Sequence, residues 1–78
     1  NPATVEALLT LMPIITEQVQ VSLINMVGIQ SRILFEGVAI KNKFIEISID
    51  TKNLESGVYS VQIRSNEKLM YLRFLVVK

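Results

Sequence analysis

The stretch NLESGVYSVQI, residues 53–63, decides how this chain reads. From Tyr59 onward it alternates. Tyr59, Val61 and Ile63 share one side, and Ser60, Gln62 and Arg64 share the other. A period of two is the mark of a half-buried strand. The residues before it read as a turn that launches the strand. Gly57 suits a backbone with positive φ or a close chain approach. Leu54 is placed to plug the end of a sandwich just ahead of that turn. Tyr59 can bury its ring and keep its hydroxyl wet or bonded at the edge.

The same period recurs on either side. In EQVQVSLIN, Val19, Val21 and Leu23 oppose Gln18, Gln20 and Ser22. In KFIEISID, Ile45, Ile47 and Ile49 oppose Glu46, Ser48 and Asp50. These segments read as half-buried antiparallel strands, separated by turns at MVG, EGVAIKN, NLESG and RSNEK. The glycines Gly28, Gly37 and Gly57 are each expected alone in a turn. Two segments are less simple. LMYLRFLVV, residues 69–77, is apolar on both rows: Met70, Leu72, Phe74 and Val76, against Leu69, Tyr71, Arg73, Leu75 and Val77. It reads first as a central strand covered on both sides, with Arg73 reaching out to water. The alternative is a strand with one face left for a partner. TVEALLTLM places apolar residues at strand spacing (Val5, Ala7, Leu9, Leu11) and also at helical spacing (Val5, Leu8, Leu9, Met12). Periodicity and the Ala and Leu propensities lean towards a helix.

Composition narrows the function. Seventy-eight residues, half of them hydrophobic, make one small folded domain. There is no cysteine and no histidine. That removes disulfides, Cys-based metal sites, and the usual general base and metal ligand. No serine has a histidine to activate it, and Lys41, Lys43, Lys52 and Lys68 fall in predicted loops. The carboxylates are scattered. Glu46 and Asp50, on one strand face, stand about 13 Å apart by strand rise, too far for paired acid chemistry. No calcium or phosphate loop is present. No enzyme and no cofactor is expected. The net charge of +1 is interspersed, without the basic stripe of a nucleic-acid binder. The longest apolar run, ALLTLMPII, is too short to span a membrane, and Pro13 interrupts it. No basic region precedes it, as a secretory signal would need. With Asn1 rather than Met at the start, the chain is expected to be a piece of a longer protein. A glycan-binding sandwich stays open, although Tyr59, Tyr71, Phe35, Phe44 and Phe74 all lie in apolar-rich strands and read as core.

Taken in order, NPAT (residues 1–4), VSLINMVGIQ (21–30), FIEISIDTKNLESGVYSVQI (44–63) and the closing apolar strand ending in lysine resemble one family along nearly the whole chain. It is the type A C-terminal sorting domain of the Bacteroidota type IX secretion system. The resemblance implies an immunoglobulin-like antiparallel β-sandwich of about seven strands, and it makes residues 4–11 a strand. A test of that strand is whether Val5, Ala7, Leu9 and Leu11 are buried together. The resemblance also implies a targeting role. Cargo in the periplasm is directed by this domain through an outer-membrane translocon, with shuttle proteins. A gingipain-like sortase usually removes the domain at the cell surface, cutting upstream of Asn1. Its motif positions here are Asn1, Pro2, Ala3, Gly28, Leu54, Gly57 and Tyr59. Pro2 would stiffen the lead-in to the first strand. Recognition is expected on Tyr71, Arg73, Phe74, Val76, Val77 and Lys78, with Asn1, Pro2 and Ala3 nearby. An exposed strand edge would also permit self-association. The chain departs from the pattern at Ser31, where a hydrophobic residue is usual, and at Arg73, where lysine is common. Such changes fit either drift or a variant domain that docks on the machinery and is retained uncleaved.

Overall fold

The computed structural model describes residues 6–78, and within them the chain is all β. Six strands follow in order: β1 (Glu6–Leu11), β2 (Glu17–Ile24), β3 (Gln30–Ala39), β4 (Ile45–Asp50), β5 (Gly57–Arg64) and β6 (Leu69–Val76). Every pairing is antiparallel. β1 and β4 form a two-stranded sheet, and the other four form a sheet of order β3-β2-β5-β6. The two sheets form a sandwich of the immunoglobulin-like kind, with six strands among the described residues where the resemblance implied about seven.

The alternation read in β2, β4 and β5 is the alternation that folds. Val21, Leu23, Ile47, Ile49, Tyr59 and Val61 are all buried. They form two adjoining clusters. Val21, Ile47, Ile49 and Val61 join the two sheets, while Leu23, Tyr59 and Val76 fill one end, with Leu54 against them. Leu34 and Phe74 touch both clusters. β1 resolves the helix-or-strand ambiguity. Ala7, Leu9 and Leu11 all pack on the first cluster, as a strand spacing requires, and Val5 lies outside the described residues. Pairing with the Ile-rich β4 overrides the helical propensity of Ala and Leu.

Three readings need correction. EGVAIKN is not all linker, because β3 runs through Ala39. Gly37 is not in a turn. It sits inside β3 opposite Val19, where an added Cβ would meet only the Phe35 ring at ordinary contact distance. And β6 is not a central strand: it is the edge of the four-stranded sheet. A two-stranded sheet is too narrow to cover a four-stranded one. β4 lies on the β3 side, where Arg32 Nη1 donates to the Asp50 carbonyl at 2.9 Å. β6, at the far side, is left without a cover over its first half. Met70 faces the same way as the core residues Phe74 and Val76, yet it is 52% exposed.

The β2–β3 pair is irregular. Its register shifts between Val21 and Ser22 and again between Leu23 and Ile24. The two shifts leave Leu34 and Ser31 as extra residues on β3, each a bulge. The first bulge lets consecutive residues Leu34 and Phe35 both turn towards the core. At the second, the Ser31 hydroxyl donates to the Leu23 carbonyl at 3.3 Å.

Candidate recognition surface

The loops sort to two poles. At one pole, the β2–β3 turn, the β4–β5 loop and the residues after β6 meet. Asn25 organises the turn: its Oδ1 accepts from the amides of Val27 and Ile29, and its carbonyl accepts from Gly28 at 3.0 Å. Gly28 has φ +83°, a conformation that glycine takes without strain. Gly57 opens β5 with φ +156°, and a Cβ there would run into the Met26 sulfur. Two residues on, Tyr59 is buried, and its hydroxyl donates to the Glu55 carbonyl at 2.7 Å. Its ring stacks on Phe74 with centroids 5.7 Å apart. A tyrosine bonded back to backbone a few residues upstream is a recurrent corner lock of immunoglobulin-like sandwiches. The motif residues Leu54, Gly57 and Tyr59 thus hold one corner of the fold, and Lys78 closes it. The Lys78 amide donates to Ser56 Oγ at 3.0 Å, and its Nζ donates to the Lys52 carbonyl at 2.7 Å.

β6 divides its recognition candidates by row. Phe74 is half-buried and Val76 is buried, so both build the core. Tyr71, Arg73, Val77 and Lys78 are exposed. Leu75 joins them at 63% exposed, and its cross-strand neighbour Val58 is exposed as well. Tyr71 is 56% exposed and accepts from Gln62 Nε2 through its hydroxyl at 3.0 Å, which orients its ring on the sheet surface. The outer row of β6, with Val58 beside Leu75, is therefore apolar apart from Arg73, while Ser60, Gln62 and Arg64 make the rest of the β5 outer row polar, and β6 pairs on its far side with no strand among the described residues. Sequence reasoning placed recognition on residues 71–78, Leu75 among them, and left out Val58, whose only signal is the register of β5 with β6. Asn1, Pro2 and Ala3 lie outside the described residues. The aromatic residues are not all core: Phe44 precedes β4 and is exposed, as is Tyr71.

Among the described residues no cluster of three or more carboxylates is placed to hold a metal. An apolar cleft of about 260 Å³ opens at the second pole, between Leu11 and Ile14 on one side and Ile63 and Met70 on the other. It is the gap left where the narrow sheet stops short of β6.

The whole chain, residues 1–78, matches the family model described as the secretion system C-terminal sorting domain. It belongs to that family. The sorting domain is that of the type IX secretion system, and its role is export across the outer membrane toward the cell surface or beyond. No curated protein and no solved structure matches the chain. Within this sorting domain Ser31 takes its place as a solvent-facing bulge residue, so replacing a hydrophobic side chain there exposes nothing new.

Proposed function

We propose that the sorting domain is a non-catalytic address label, read at the free edge and outer row of β6. The cargo to which it belongs reaches the periplasm, meets shuttle proteins and the outer-membrane translocon through this strand, and is delivered to the surface, where a gingipain-like sortase removes the domain. The observation that carries the reading is the position of β6. It is an apolar strand at a sheet edge, with Tyr71, Leu75 and Val77 turned to solvent and one row of backbone groups unpaired. An exposed apolar edge strand is a hazard unless something is meant to pair with it. The core row of the same strand, Phe74 and Val76, makes the signal depend on folding, because the strand is presented only when its inner residues are seated.

The test is export of a periplasm-directed reporter carrying the domain behind its native upstream linker, in a host with the type IX system. Leu75→Asp and Val77→Asp change only exposed side chains and should leave the domain folded. Each is expected to hold the reporter in the periplasm. A reporter that still reaches the surface with both substitutions present removes β6 as the recognition element. Loss of the domain's mass from the surface-bound reporter is the expected sign of sortase cleavage. A surface reporter that keeps its domain would mean a docking module that stays attached.

A further inference from the structure

The first five residues of β6, Leu69 to Arg73, are all exposed, on both faces of the strand. The inner row shows where cover is missing. Val61 and Leu72 are cross-strand neighbours on the same face, yet Val61 is 2% exposed and Leu72 is 41% exposed. Ile63 is half-buried beside an exposed Met70. Exposure rises towards the far side of β6, where no strand pairs with it among the described residues. An apolar edge strand of this kind is a template for another strand.

The sequence of β6 is complementary to itself. In an antiparallel pair, residues directly opposite each other share a face, so even-numbered residues of β6 must meet even-numbered ones and odd must meet odd. Full overlap of two copies of Leu69–Val76 would set even against odd, and two registers lie one step from it. One centres on Arg73 and places its guanidinium directly opposite its own copy, which like charges oppose. The other centres on Leu72. There Leu72 meets Leu72, Met70 of each copy meets Phe74 of the other, and Leu69 meets Leu75. Tyr71 of each copy meets Arg73 of the other. The inner face gains a continuous apolar row with the Met70 sulfur beside an aromatic ring. The outer face gains two contacts of a guanidinium with a tyrosine ring.

We infer that two copies of the sorting domain pair through β6 in this Leu72-centred register, joining their larger sheets in the order β3-β2-β5-β6-β6-β5-β2-β3. The contact is two-fold symmetric, uses the same edge of both copies, and so closes at a dimer. This goes beyond the export reading. The outer row of β6 stays on the surface, but its backbone edge is covered, so the dimer has to open before β6 pairs with export machinery. One strand pair is a small interface, and the dimer is expected to be weak and reversible.

The experiment is sedimentation equilibrium of the 78-residue chain from about 10 µM to 1 mM, where a monomer–dimer equilibrium is expected. A mass that stays monomeric throughout, or climbs past the dimer, overturns the inference. Arg73→Gln removes both contacts with Tyr71 and should weaken the dimer by about tenfold. A strengthened dimer would mean that Arg73 faces Arg73, and overturns the register. The chain has no cysteine, so single cysteines report the register directly. Leu72→Cys, on the axis, should give a disulfide-linked dimer on oxidation with copper phenanthroline. Leu75→Cys is equally accessible but about 20 Å from its copy by strand rise, and should not. Cross-linking at 75 as efficient as at 72 overturns the register. Melting curves of these variants, all at exposed positions, check that they fold. The dimer is read on the purified chain and export on a cellular reporter, so either can fail without the other.

Discussion

Replacing Gly57 by alanine tests the corner on which the sorting domain turns. Two costs are expected, and the structure lets them be separated. One is conformational: φ +156° is a region that residues with a side chain rarely adopt. Holding alanine there costs about 1–3 kcal/mol. Against this, removing a glycine stiffens the unfolded chain and returns about 0.4–1 kcal/mol. The other cost is steric, because the new Cβ meets the Met26 side chain. Met26 is exposed and unbranched, so it can swing away at little expense. A net loss of about 1–2 kcal/mol follows. At about 2.1 cal/mol/K per residue, unfolding 78 residues carries an entropy near 160 cal/mol/K, so each kcal/mol lowers Tm by about 6 °C. Thermal melting should therefore show Gly57→Ala about 6–12 °C below the parent. The same substitution made in a Met26→Ala background should cost nearly as much, with a coupling under about 0.5 kcal/mol. A Tm within about 2 °C of the parent would mean the backbone conformation is not held. Full rescue by Met26→Ala would mean that sterics, not φ, make glycine necessary.

Tyr59→Phe removes the hydroxyl that reaches the Glu55 carbonyl and keeps the stacked ring. It should cost about 1 kcal/mol by chemical denaturation, and a neutral result would mean that water serves that carbonyl equally well. Leu23→Ala empties a fully buried site between Tyr59 and Val76, with an expected loss of about 3 kcal/mol. That is a large share of the roughly 4–12 kcal/mol available to a domain of this size, so a fold that barely notices it would contradict the core described above. Ser22 buries its hydroxyl with no hydrogen-bond partner among the described residues. Ser22→Ala should raise stability by about 0.5–1 kcal/mol, whereas a fall would reveal a bound water satisfying that oxygen.

What could be read from sequence depended on how constant the period was. β4 and β5 keep one period throughout, and β2 departs from it at Ser22, buried between Val21 and Leu23, so their apolar rows were plain. β3 was not, because its period reverses inside the strand. Arg32 and Leu34 lie on the more buried side before the first bulge, and Phe35, Gly37 and Ala39 after it. Averaged over ten residues, the alternation cancels, and Glu36-Gly37 then reads as a turn. β6 failed for a different reason. Apolar residues on both rows are equally what a central strand needs and what an uncovered edge strand displays. Only the sheet order, a long-range property, distinguishes the two. β1 was legible through its family and not through its own pattern, since Ala and Leu satisfy either period. The Gly57–Tyr59 corner was visible because a turn glycine and a half-polar aromatic impose local demands. The contact between the β1–β2 and β3–β4 loops was not. These loops are far apart in sequence, joined by hydrogen bonds from Lys41 to Thr16 and from Asn42 to Pro13.

The division into a two-stranded and a four-stranded sheet has a mechanical side. Tension applied to the N-terminal end of β1 acts on the six residue pairs joining β1 to β4. A two-stranded pair is marginally stable on its own, so β1 depends on β4 and on the packing of Ala7, Leu9 and Leu11 against the core. The load would peel β1 away while β2, β5 and β6 stayed paired with one another. β6 sits at the outer edge of the other sheet and is anchored by Phe74 and Val76. β6, the strand proposed for recognition, is thereby insulated from a pull on β1.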